Sequence, residues 1–209
     1  MPLTYNRISA QSVERLAALS DGIFAVAMTL LVLDLRVPSK EAVHGERDLW
    51  LGLCAMMPQL IAWLMSFLTL GIFWAGQQAQ LNRIERSDRH FAWIHLAFLS
   101  AVSVLPFSTR LLAEFIALRT ALLVYWANLL ALGVVLYVSW KYATRAGLLR
   151  ADLPEGAGKA IERRIVGAQA LYAVGAALCV FNPYASIGFI VLVQLNFAIA
   201  PPIPGLSKI

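Results

Sequence analysis

The sequence predicts an all-α integral membrane protein, a single domain over residues 1–209 with six transmembrane helices. Three observations carry that prediction. Hydrophobic residues make up 60% of the chain and charged residues 14%, against roughly a quarter charged in ordinary soluble domains, and mean hydropathy is +0.70. The apolar residues gather into six runs near the length of about 20 residues that a bilayer crossing requires. No leader with a basic n-region and a small-residue cleavage site precedes the first run, which therefore reads as a retained span.

The first run, about 16–36, lies in "RLAALSDGIFAVAMTLLVLDL" and carries Arg15, Ser20 and Asp21 at its head. The second, about 50–80, is too long for one crossing, which predicts tilt or projection beyond the bilayer, with Pro58 as a kink near one end. The third, about 91–112, contains Pro106 in "VLPFSTRLL", which predicts a break before a short loop. The remaining runs cover about 116–140, 162–181 and 184–200. The stretch 141–161, with "DLPEGAGK" in its middle, is the one linker, and it is too short to form a domain.

Basic residues set orientation. Twelve lie in alternate connections: Arg7, Arg15, Arg83, Arg86, Arg89, Lys141, Arg145, Arg150, Lys159, Arg163, Arg164 and Lys208. The opposite side holds five, Arg36, Lys40, Arg47, Arg110 and Arg119. Both termini are therefore expected in the cytoplasm, in a multi-pass protein of the cell (plasma) membrane. The net charge of +5 sits in these short connections, so it argues for topology and against nucleic acid as a partner. Cys54 and Cys179 stand singly in apolar segments and suggest neither a disulfide nor a metal site.

The chain lacks the repeated arginines of a voltage sensor and the TVGYG-type carbonyl filter. It also lacks an HExxH zinc helix and a GxSxG elbow, so no enzyme is expected. His90 and His95 are five residues apart and share no helix face well enough to grip one metal, and no cofactor is implied. His95 lies deep in a span, where an ionisable group is either functional or part of a hydrogen bond between helices.

The first run forms a helix of about 100° per residue on this pattern, with Val26 as the reference direction. Leu19, Gly22, Leu30 and Leu33 then fall within about 40° of Val26, and Thr29 within about 60°. Ser20 and Asp21 point about 120° and 140° away, so the polar pair is expected to face its own bundle. Candidate partners at that depth are Trp74, Gln77 and Gln78, with Arg89, Trp93 and His95. Arg15 is too far from Asp21 for an i,i+4 pair and is expected to cap the inner mouth or to pair elsewhere, such as with Asp88. From spacing alone the Val26 stripe is equally a buried helix face.

The stretch "RLAALSDGIFAVAMTLLVLDL" resembles the first helix of the TMEM175 family, whose signature is Arg, three residues, then Phe-Ser-Asp and a TLLVLD-like end. Arg15, Ser20 and Asp21 match by position, and Leu19 stands where the family has phenylalanine. "IFW" at 72–74 and "LPFSTRLLAEF" at 105–115 extend the resemblance over about the first 115 residues. Gln77 and Gln78 stand where the family often has two histidines. The resemblance implies a potassium-selective channel of unconventional fold without a P-loop filter. It also implies a homotetramer in the lipid bilayer, with the first helix of each subunit lining the pore and potassium as the permeant ion. Carried over, the constriction falls on Val26 and the selectivity threonine on Thr29.

These expectations combine into one mechanism. Val26, with Leu30 and Leu33 and the thin wall at Gly22, forms apolar rings that gate by narrowing or dewetting, while Thr29 supplies the nearby polar ligands. Arg15, Ser20, Asp21, Trp74, Gln77 and His95 form a structural polar network. Asp34 attracts cations or pairs with Arg36 or Lys40. The alternative is a proton-coupled secondary transporter or a proton pathway using Asp21 and His95.

Overall fold

The computed structural model describes residues 12–152 and 156–199. The expectations placed on Arg7 and Lys208 lie outside the described residues. Helix α1 (Val13–Leu30) opens at Ser12, whose extended backbone and side-chain oxygen accept the Arg15 amide at 3.2 Å. It tightens into a 3-10 turn over Leu31–Asp34 before Leu35 turns extended. The remaining helices are α2 (Glu46–Ala55), α3 (Met57–Leu81), α4 (Arg89–Glu114), α5 (Arg119–Arg145), α6 (Ala157–Ala177) and α7 (Pro183–Ile199). Five of these segments are long and apolar enough to cross a membrane: Val13–Asp34, α3, α4, α5 and α6 with its 3-10 extension to Val180. Helix α7, at 17 residues, rises only about 25 Å, and is the shorter apolar member of the bundle.

Three sequence-based boundaries change. The long second run is not one tilted helix: it divides at Met56, where α2 ends and α3 begins with Pro58 in its first turn. Proline needs no amide partner there, so it starts a helix instead of kinking one. Pro106 does not end the third run, because α4 continues to Glu114. A lipid-exposed break has no water to take over freed backbone groups, so continuing the helix is the cheaper arrangement. The linker is shorter than 141–161, since α5 runs to Arg145 and α6 starts at Ala157.

Helix α1 packs on α3 and α4, α4 lies against α5, and α5 continues onto α6, which packs with α7 back against α3. The main core brings together Phe24, Met65, Phe98, Leu105, Tyr125 and Tyr172 from five of these helices. A second cluster of Leu16, Leu81, Ile84, Phe91, Ala143 and Leu148 closes the basic end. There the turns after α3 and α5 pair through an antiparallel bridge between Ile84 and Leu149, with Glu85 donating to the Leu148 carbonyl at 2.9 Å. Asp88 caps α4 through the Phe91 amide at 2.8 Å and accepts the Tyr142 hydroxyl at 2.6 Å. At the other end, the chain leaving α1 lies on α2 so closely that a Cβ at Gly52 would sit 2.8 Å from Pro38 Cγ.

Candidate functional site on the first helix

Helix α1 has two faces. Leu16, Ser20, Phe24 and Ala27 are buried against α3 and α4. The other face is open in the single subunit: Val26 is 58% exposed, Leu30 44% and Leu33 73%, and Gly22 and Thr29 are also exposed. The stripe is therefore not a buried face within the subunit, which removes that reading of its spacing. A Cβ on Gly22 would meet nothing within 4 Å, and a groove of about 450 Å³ runs beside Gly22, Val26 and Leu30 to Ser103 and Pro106 of α4. The 3-10 turn winds at about 120° per residue and carries Leu33 to about 40° from Val26, still within the stripe.

Thr29 is the hydroxyl beside this stripe. Its Oγ1 donates back to the Ala25 and Val26 carbonyls at 3.0 and 2.9 Å. The proton is thus engaged by its own helix, and the oxygen lone pairs remain as acceptors.

The opposite face builds two adjacent polar clusters. Ser20 is fully buried. Its hydroxyl donates to the Leu16 carbonyl at 2.9 Å, accepts from Gln77 Nε2 at 2.9 Å and lies 2.8 Å from His95 Nε2. The single serine proton is committed to Leu16, so His95 is the donor at Nε2, toward Ser20 Oγ and toward the Leu16 carbonyl at 3.2 Å. Asp21 lies along the seam with α3, where Oδ1 accepts from Trp74 Nε1 and Gln78 Nε2, both at 2.8 Å. Trp74 and Gln78 are one helical turn apart, so α3 presents both donors to one carboxylate. The structure thus brings together Ser20, Gln77 and His95, and separately Asp21, Trp74 and Gln78. No hydrogen bond joins Asp21 to His95 among the described residues.

Two expected pairs do not form. Arg15 is exposed, and Asp88 is occupied by the Phe91 amide and the Tyr142 hydroxyl. The first-turn amide of α4 and a phenol from α5 take that carboxylate, and Arg15 stays exposed. Asp34 pairs with neither Arg36 nor Lys40; its Oδ1 lies 3.9 Å from Arg110 Nε at the end of α4. The 3-10 turn directs Asp34 toward the neighbouring helix instead of along its own chain. His44 and His90 contribute to neither cluster, and no group of three or more metal-ligating side chains exists among the described residues.

Sequence reasoning missed a third cluster near the middle of the bundle. Ser66 bonds Thr109 at 2.6 Å, Thr69 bonds the Tyr125 hydroxyl at 3.0 Å, and Gln194 donates to Thr69 at 2.7 Å. Ser66, Thr69 and Gln194 each stand between apolar neighbours, and that isolation is the signal that points to an interhelical bond.

Membrane-length helices around a polar-stapled core, with an apolar and hydroxyl-bearing stripe left outward on the first helix, define an all-helical multi-pass membrane protein. Comparison with known proteins agrees. The profile of the endosomal/lysosomal potassium channel TMEM175 family matches residues 15–106. A potassium channel of Streptomyces collinus is 35% identical over 147 residues, covering 67% of this chain and 70% of the relative. A potassium channel of Chamaesiphon minutus is 32% identical over 191 residues, covering 88% and 93%. The endosomal/lysosomal proton channel TMEM175 of Danio rerio is 31% identical over 116 residues, which is 22% of that longer protein. The crystal structure of a lysosomal potassium-selective channel TMEM175 homolog from Chamaesiphon minutus superposes with a TM-score of 0.78 at 29% identity, over 91% of this chain and 98% of that one. This chain belongs to the TMEM175 family, whose members are ion channels and not enzymes.

Proposed function

We propose that the protein conducts potassium passively and selectively through a fourfold pore lined by α1 of each subunit. The observation that carries this reading is the outward stripe of Val26, Leu30 and Leu33 with Thr29 beside it, on a helix whose Ser20 and Asp21 bond to the neighbouring helices on the opposite face. Lipid does not require such a sorting of one hydroxyl and one glycine onto a single face, whereas a pore between four copies uses it. Val26, Leu30 and Leu33 form stacked apolar rings that gate by narrowing or dewetting. Four Thr29 oxygens supply the nearby acceptors, so selectivity is modest beside that of a carbonyl filter. Ser20, Asp21, Trp74, Gln77 and His95 set the angle at which α1 leaves its own bundle, and Arg15 stands at the basic mouth. The distribution of lysines and arginines supports insertion in the cell membrane with both termini cytoplasmic.

The test is potassium flux from liposomes containing the purified protein. Val26→Asn is expected to change the flux severalfold by wetting the constriction, while Asp21→Asn is expected to disturb assembly or gating without altering ion preference. A Val26→Asn channel with wild-type flux would remove the pore assignment.

A second reading, proton conduction along Asp21 and His95, is favoured by the naming of the vertebrate relatives as proton channels. Against it stand the separate partners of the two groups. Proton flux that follows a pH gradient and disappears in both Asp21→Asn and His95→Gln would favour it over the potassium pore.

A further inference from the structure

A slot lined by α3 and α6 carries features that the ion pathway does not use. It lies between α3, α5, α6 and α7, has a volume of about 240 Å³, and runs along α6 from Ile161 to Tyr172. That is about 16 Å of helix, from the basic end to mid-membrane depth. Its walls are apolar, with Gly76 and Ala168 as thin points, and two of the residues that line it, Tyr172 and Gln169, each carry a buried oxygen with no partner among the described residues. Tyr172 is 1% exposed. Gln169 is fixed there because its amide lies over Gly133, where a Cβ has no room, and its Nε2 donates to the Leu129 carbonyl at 3.3 Å. An unpaired buried hydrogen-bonding group costs about 1–3 kcal/mol, and here two occur on residues that line one slot.

At the mouth stands Arg164, its guanidinium over the Phe197 ring at 5.9 Å. It has no carboxylate partner among the described residues. Lys159 and Arg163 lie in the same turns of α6, and the one acid there, Glu162, is taken by Lys141 at 2.8 Å. The slot thus combines an unneutralised cation at interface depth, orphaned hydrogen-bonding groups below it and an apolar interior.

We propose that this slot is a binding site for an anionic phospholipid, with its phosphate on Arg164 and one acyl chain between α3 and α6. The guanidinium supplies charge-assisted donors to the phosphate. Tyr172 leans toward the start of α6, as long helical side chains do, and donates its hydroxyl proton to an ester carbonyl. Uncharged or zwitterionic lipids satisfy the apolar walls but not the net positive charge of the mouth.

The experiment uses the purified oligomer in phosphatidylcholine vesicles doped with a phosphatidylglycerol that bears a diazirine in its acyl chain. After irradiation, labelled peptides are mapped by mass spectrometry. Labelling is expected within 72–80 and 161–172, about tenfold lower in Arg164→Gln for loss of one charge-assisted contact, and abolished in Ala168→Phe, which fills the slot. The oligomer mass of each variant reports its fold, and Arg164→Gln alone decides the matter if Ala168→Phe does not assemble. Equal labelling by the matching phosphatidylcholine probe would overturn the proposal. So would phosphatidylglycerol labelling that survives Arg164→Gln, or labelling by a diazirine palmitate with none by phosphatidylglycerol. Ion flux is not the readout, so the result is independent of the pore assignment.

Discussion

Ser20 shows how one small side chain organises a helix crossing. It joins α1 to α3 through Gln77 and to α4 through His95 while satisfying its own Leu16 carbonyl. Ser20→Ala removes the acceptor that both donors use, and Gln77 Oε1 is already without a partner among the described residues. Hydrogen bonds between membrane helices contribute about 0.6 to 2 kcal/mol, so Ser20→Ala is expected to lower the detergent unfolding midpoint by a few degrees, measured by thermal denaturation. Thr29 acts through a different channel of effect. Thr29→Val keeps the shape and removes the outward oxygen, and the potassium-to-sodium flux ratio in liposomes is expected to fall toward one with total flux retained. The partners of Asp21 were legible in the sequence because Trp74 and Gln78 are among the few polar side chains on the facing run. Arg110 as the partner of Asp34 was not legible, because nothing local favours it over Arg36 or Lys40. That pairing depends on where two helix ends meet.

At the scale of the element, α1 is fastened near both ends: Ser20 and Asp21 bond its first half to α3 and α4, and Asp34 meets Arg110. The outer fastening is weak, since the Arg110 side chain is 58% exposed and the 3.9 Å separation is long. A double-mutant cycle of Asp34→Asn and Arg110→Gln is expected to give a coupling below about 1 kcal/mol that fades with added salt. A larger, salt-independent coupling would mean that the pair is shielded in the assembled protein. Span positions followed from hydropathy because each run is bounded by charge or turn residues. The division at Met56 did not, because α2 and α3 form one continuous apolar run in which only Pro58 marks a boundary, and proline marks helix starts and kinks alike. The continuation of α4 through Pro106 escaped local reasoning for a related cause. The penalty for opening backbone bonds is set by the membrane environment and not by the residue.

At the scale of the molecule, the subunit leaves its most informative surface uncovered. Four copies give 4 × 23.0 = 92 kDa of protein, and light scattering in detergent is expected to return that protein mass. A stable monomer would leave the Val26 stripe without facing copies and end the pore reading. The stripe was legible in the sequence as a direction on a helix, but its exposure was not, because a helical projection cannot tell a buried face from an uncovered one. Packing of α1 on α3 and α4 supplies that distinction. The central claim is that ions pass beside Val26, and cysteine accessibility tests it most directly. In a background with Cys54→Ser and Cys179→Ala, Val26→Cys is exposed to a cationic methanethiosulfonate, and potassium flux is recorded with Ala25→Cys as the off-stripe control. The account predicts that modification abolishes flux in Val26→Cys and leaves Ala25→Cys conducting. Full flux through a Val26→Cys channel whose modification is verified by mass would contradict it.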